Sequence, residues 1–86
     1  MKVTPEDVKN EIVKEDYYVF PGSTTTVCLL TLRNGMGIVG SSGCVDDKNF
    51  NAEIGRTVAR KRAEDQIWML LGFRLRDKMN LAGENE

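Results

Sequence analysis

The apolar positions change their spacing twice along the chain, and each change marks an element. Val8, Ile12 and Val13 follow Thr4-Pro5-Glu6-Asp7 at helical spacing. Thr4 suits a cap, Pro5 the first helical position and Asp7 the capping-box position, so a short helix is expected over about residues 5–14. Tyr17-Tyr18-Val19-Phe20 is aromatic and β-branched, and predicts a strand over about 17–20 that ends at the turn pair Pro21-Gly22. The threonine-rich apolar run that follows predicts the main strand over about 24–33, and a returning strand over about 36–45. Beyond residue 50 the spacing becomes four. Gly55, Ala59, Ala63, Ile67 and Leu71 form one row, with Ile54 and Val58 alongside. That row predicts a long helix over about 51–71, capped by Asn51, with a continuation to about residue 80 past Gly72. Small residues in the row let a backbone come close, which suits a helix laid across a sheet. The fold class expected is α+β: a short N-terminal helix, an antiparallel meander of two to three strands, and a long C-terminal helix packed on the sheet.

Asn34-Gly35 between apolar residues predicts a two-residue hairpin turn with positive φ at both positions. Such a turn would pair Arg33 with Met36. One face would then hold Cys28, Leu30, Leu32, Val39 and Val45, and the other Val27, Leu29, Met36, Ile38 and Cys44. The two cysteines would point to opposite faces and stay free thiols. Both faces are partly apolar; one can take a helix, and the other needs the second helix or a partner chain.

The same turn opens Gly35-x-Gly37-x-x-Gly40, the spacing of a dinucleotide-binding loop. That loop requires a helix to start at the glycines, so that amides and dipole meet the pyrophosphate. Here Ile38-Val39 continue as strand residues, and no amphipathic helix starts before about residue 51. The glycines therefore read as a turn followed by a strand with a glycine bulge or close backbone packing, Gly40 lying on the face opposite Cys28, where a helix backbone could approach.

With 86 residues the chain makes one small domain, residues 1–86, with a thin core, and a homodimer is the expected assembly. Hydrophobic residues at 41% and charged ones at 29% are an ordinary globular mix. Net charge is −1, which disfavours generic adhesion to nucleic acid or to anionic membrane. The distribution is uneven: residues 1–55 hold five basic and eight acidic side chains, residues 56–80 seven and three. No run suits a secretion signal or a membrane span, so an intracellular location is expected. Histidine is absent, and there is no Walker loop, zinc-ligand spacing or nucleophile elbow. No catalytic residue, metal site or cofactor is therefore expected, and the protein reads as a non-enzyme.

The residues singled out for partner binding are Arg60, Lys61, Trp68, Phe73, Arg74 and Arg76, where aromatics and cations share the long helix. Ser41, Ser42 and Arg56 are the alternative set, for a small anionic ligand such as a nucleotide signal. A third option, nucleic-acid binding through Arg56 to Arg62, is disfavoured by the net charge.

Val27-Cys-Leu-Leu-Thr-Leu-Arg-Asn-Gly35, Val39-Gly-Ser-Ser and Val45-Asp, taken with Asn49-Phe50, Glu53-Ile-Gly-Arg56, Ala59, Ala63, Ile67-Trp68 and Leu71-Gly72-Phe73, form a recognisable combination. It resembles a family of small tailed-phage proteins named for gene product 49 of a coliphage and gene product 66 of a Shigella phage. The resemblance covers about residues 4–80. Met69 departs from it, since many members have proline after the tryptophan; the helix should therefore run further here before it bends. The resemblance carries over no catalytic or binding residues. It implies a phage gene acting in the host bacterial cytoplasm, and a product that binds and inhibits or modulates a host protein, with a defence system as one class of target.

Overall fold

The structure, a computed structural model, describes residues 2–84. The expected capping box is present: Asp7 N–H donates to Thr4 Oγ1 at 3.2 Å, and Thr4 N–H to Asp7 Oδ2 at 2.9 Å. Helix α1 (Pro5–Glu11) ends earlier than expected, and strand β1 (Ile12–Val19) follows it directly. The helical spacing of Ile12 and Val13 is overridden by their β-branched side chains and by pairing. Ile12 leaves the helix in extended conformation and pairs with Leu32, while Glu11 C=O accepts from Arg33 N–H at 3.0 Å.

Strands β2 (Thr26–Leu32) and β3 (Gly37–Ser42) complete an antiparallel sheet in the order β1-β2-β3. The hairpin register differs by one residue from the expected one. Cys28 faces Gly40, and Leu30 faces Ile38. The turn is a three-residue loop, Arg33-Asn34-Gly35. Gly35 N–H donates to Leu32 C=O at 2.9 Å, and Leu32 N–H to Met36 C=O at 2.9 Å. Within this turn, of Arg33, Asn34 and Gly35 only Gly35 has positive φ, at 89°; Asn34 instead accepts from Met36 N–H through its side chain at 3.0 Å. The extra loop residue moves Ile38 to the buried face with Thr26, Cys28, Leu30, Leu32 and Ser42, and Val39 to the outer face. The cysteines are free, as expected, but for another reason. Cys44 lies past the end of β3, four residues beyond the Gly40 that faces Cys28, or roughly 13 Å along an extended chain and beyond disulfide reach.

A 3-10 turn over Asp47–Asn49 leads to helix α2 (Ala52–Glu84). Asn51 caps it, its Oδ1 accepting from Glu53 and Ile54 N–H at 3.0 and 3.1 Å. The helix runs on through Met69, as expected from the absence of proline there, and Gly72 does not interrupt it. The helix runs to Glu84, beyond the expected limit of about residue 80; residues 85–86 lie outside the described ones. Ala59, Ala63, Ile67 and Leu71 enter the core with Val8, Cys28, Leu30, Leu32 and Ile38. Gly40 lies directly beneath α2, on the same buried face as Cys28 rather than the opposite one. A Cβ there would stand 2.2 Å from Ala59 O and 2.4 Å from Ala63 N. No phosphate loop forms, because the chain continues as strand to Ser42.

Both helices occupy one side of the sheet, since Val8 and the α2 row share one core. The other side, with Tyr18, Leu29 and Val39, is exposed. On the free edge of β3, Arg62 and Gln66 donate to the carbonyls of Ser41 and Val39 at 2.8 and 2.6 Å, which blocks strand addition there. At 33 residues, α2 is about 50 Å long. The molecule measures 60 × 22 × 18 Å, so α2 sets its long axis and runs on past the hairpin turn.

Candidate functional site

The six residues expected to bind a partner fall into three places. Arg60, Lys61 and Trp68 line a groove beside β1, with Tyr17 and Arg56, of about 650 Å³. Arg60 donates from Nε to Glu15 Oε2 at 2.9 Å and from its terminal nitrogen to Glu64, while Lys61 pairs with Asp65 at 3.3 Å. Arg56, Arg60 and Lys61 are thus balanced by Glu53, Glu64 and Asp65 in the same groove. Tyr17 donates to Glu15 Oε1 at 3.2 Å; its phenol is pushed up to about 12, mainly by burial and then by the neighbouring Cys28 and Glu15. The Arg60 guanidinium holds the Glu15 carboxyl below its ordinary range.

Arg74 sits elsewhere, in a cleft where α1, the hairpin turn and α2 meet. There a carboxylate only 3% exposed, Glu11, accepts from Arg33 at 3.0 Å and from Arg74 at 3.1 Å, both on Oε1. The hydrogen bond from Arg33 is the main reason that the Glu11 carboxyl lies below the ordinary range; burial opposes it, and Arg74 adds to it. Lys2, Asn10 and Lys78 also line this cleft of about 300 Å³, and Val3, Leu71 and Leu75 supply its apolar part. The sequence pattern did not single out Glu11, Arg33, Lys2 or Lys78. The two ion pairs span 22 and 63 positions, a distance at which no periodicity carries a signal.

Phe73 and Arg76 lie in the C-terminal half of α2 and are exposed. Met69 and Phe73 are 76% and 69% exposed, and Leu81 is 58% exposed. Met69, Phe73 and Leu81 stand four and eight residues apart, so they share a helix face, with Leu70 beside it.

The alternative set does not converge. Ser42 is buried and donates to Gly55 C=O at 2.7 Å, tying β3 to α2. Ser41 is exposed on the outer side of the sheet, and Arg56 lines the groove by Tyr17. Among the described residues no group of three or more acidic or cysteine side chains is placed to hold a metal ion, and no helix is long and apolar enough to cross a membrane.

A family model described as phage protein (N4 Gp49/phage Sf6 gene 66) family matches residues 3–79. No curated protein and no solved structure matches the chain.

Proposed function

The chain belongs to the phage protein (N4 Gp49/phage Sf6 gene 66) family, and from that premise we propose that it is an accessory protein that binds a host bacterial protein and inhibits or modulates it, the exposed end of α2 being the surface it presents. The observation that carries this reading is the exposed apolar face of Met69, Phe73 and Leu81 on a helix that extends past the sheet. A lone segment of about ten helical residues is marginal in water, and an amphipathic face of this kind is suited to a hydrophobic groove on another protein. Arg76 and Lys78 on the same stretch would add electrostatic steering. The reading places the protein in the host cytoplasm, with a defence component as one class of target.

The test is affinity capture from host cells with the tagged wild-type chain and with Met69→Glu/Phe73→Glu. Both positions are exposed, so the double variant should fold normally. A host protein retained by the wild type and lost from the variant supports the proposal. Equal capture by both, or capture of nothing by either, overturns it.

A further inference from the structure

The cleft around Glu11 has a surplus of positive charge, and Glu11 holds its two arginines in place. Arg33 comes from the hairpin turn, Arg74 and Lys78 from α2, and Lys2 from the segment before α1. Among the described residues, two carboxylates line the same space. One, Glu11, is shared by both arginines, and the other, Asp7, is engaged by the Thr4 N–H in the capping box. Neither Lys2 nor Lys78 forms an ion pair among the described residues. Among the described residues, four cations therefore face two anions in this cleft, on a chain whose net charge is −1.

Glu11 does more than neutralise. It is nearly fully buried, while the arginine side chains are 62% and 45% exposed. Each guanidinium is bonded to Glu11 while its side chain stays partly exposed. This is preorganisation: rotamer entropy is already lost before any ligand arrives. Val3, Leu71 and Leu75 add an apolar surface to the same cleft.

We propose that this cleft binds an acidic, leucine-bearing segment of a protein partner, with partner carboxylates on Arg33, Arg74, Lys2 and Lys78 and an apolar side chain against Leu71 and Leu75. Charge complementarity argues for carboxylates, and the apolar part of the cleft argues for a peptide over a bare anion. The inference rests on the reading of the protein as a partner-binding one, and names the chemistry the partner brings.

The test uses the purified full chain and a fluorescein-labelled peptide of twelve residues, rich in glutamate and carrying two leucines. Fluorescence anisotropy should show binding that weakens as salt rises. Lys2→Glu/Lys78→Glu leaves both arginines on Glu11 and should weaken binding at least tenfold. Lys48→Glu, in the 3-10 turn before α2 and away from the cleft, should leave it unchanged. The same peptide with lysine for glutamate should not bind. Absence of binding, or equal weakening by Lys48→Glu, overturns the proposal. So does loss of the signal to inorganic phosphate at equal concentration, which would make the cleft a small-anion site. Capture of a host protein that depends on Met69 and Phe73, without peptide binding, would sink this inference and leave the broader one standing. Peptide binding without host capture would do the reverse.

Discussion

Adding one methyl group at Gly40 should separate the two layers of the fold. An ideal Cβ there would stand 2.2 Å from Ala59 O, 2.4 Å from Ala63 N and 3.0 Å from Ala63 Cα. All three are backbone atoms, so no rotamer change gives relief. Trimming Ala59 or Ala63 would remove nothing that clashes. To restore ordinary contact, α2 must lift from β3 by roughly 1 Å, and a gap of that size forfeits a quarter to a half of each dispersion contact across it. Ala59, Ala63 and Ile67 are fully buried at this seam, so the loss spreads along the core. Overpacking in cores costs about 1–3 kcal/mol, and a backbone clash belongs at the upper end or beyond it. Gly40→Ala should therefore destabilise by about 3 kcal/mol or more, a large share of a small domain's stability. Gly72→Ala provides the contrast: nothing lies within 4 Å of its Cβ position, and in a continuous helix it should stabilise by about 0.5–1 kcal/mol. Urea unfolding followed by circular dichroism at 222 nm measures both. If Gly40→Ala unfolds within about 0.5 kcal/mol of wild type, the close seam between α2 and β3 is refuted.

Three further outcomes follow from the same geometry. The Glu11 carboxyl is held below its ordinary value in the folded state by Arg33 and Arg74, so its contribution is complete above the unfolded value of 4.5 and is lost as pH falls through the folded one. Urea midpoints should drop on acidification below about pH 4.5, and Glu11→Gln should lower the neutral-pH stability by about 1.5–3 kcal/mol and flatten that acid limb. Asn51→Ala removes acceptors for Glu53 and Ile54 N–H and should cost about 1 kcal/mol by the same unfolding assay. Thiol labelling of the native chain should modify Cys44 and spare Cys28, which is fully buried and whose thiol is pushed up mainly by that burial; both should label in denaturant.

Features set by nearby residues were legible in the sequence. Thr4 with Asp7, Asn51 as a cap, and the row Ala59, Ala63, Ile67 all depend on neighbours within one or two turns. The close approach at Gly40 was legible as one of two uses of a strand glycine, but on the wrong face, because the register was off by one residue. Features decided by tertiary pairing were missed. Ile12 and Val13 fit a helix by spacing, and only the pairing of Ile12 with Leu32 makes them strand. Asn34-Gly35 is compatible with two loop lengths, and the choice depends on whether Asn34 takes positive φ or bonds Met36 with its side chain. That one-residue difference exchanged Ile38 and Val39 between faces. Of the candidate site, Phe73 and Arg76 were legible as an exposed aromatic and cation on the helix. The Glu11 cleft was not, because its charges come from three separate parts of the chain.

The central claim is that the end of α2 is a docking surface for a host protein. Isothermal titration of the captured host protein with wild-type chain and with Phe73→Glu tests it directly. A buried aromatic anchor is worth about 2 kcal/mol or more, so the variant should bind at least roughly thirtyfold more weakly while its unfolding midpoint stays unchanged. Unchanged affinity with Phe73→Glu would contradict the account.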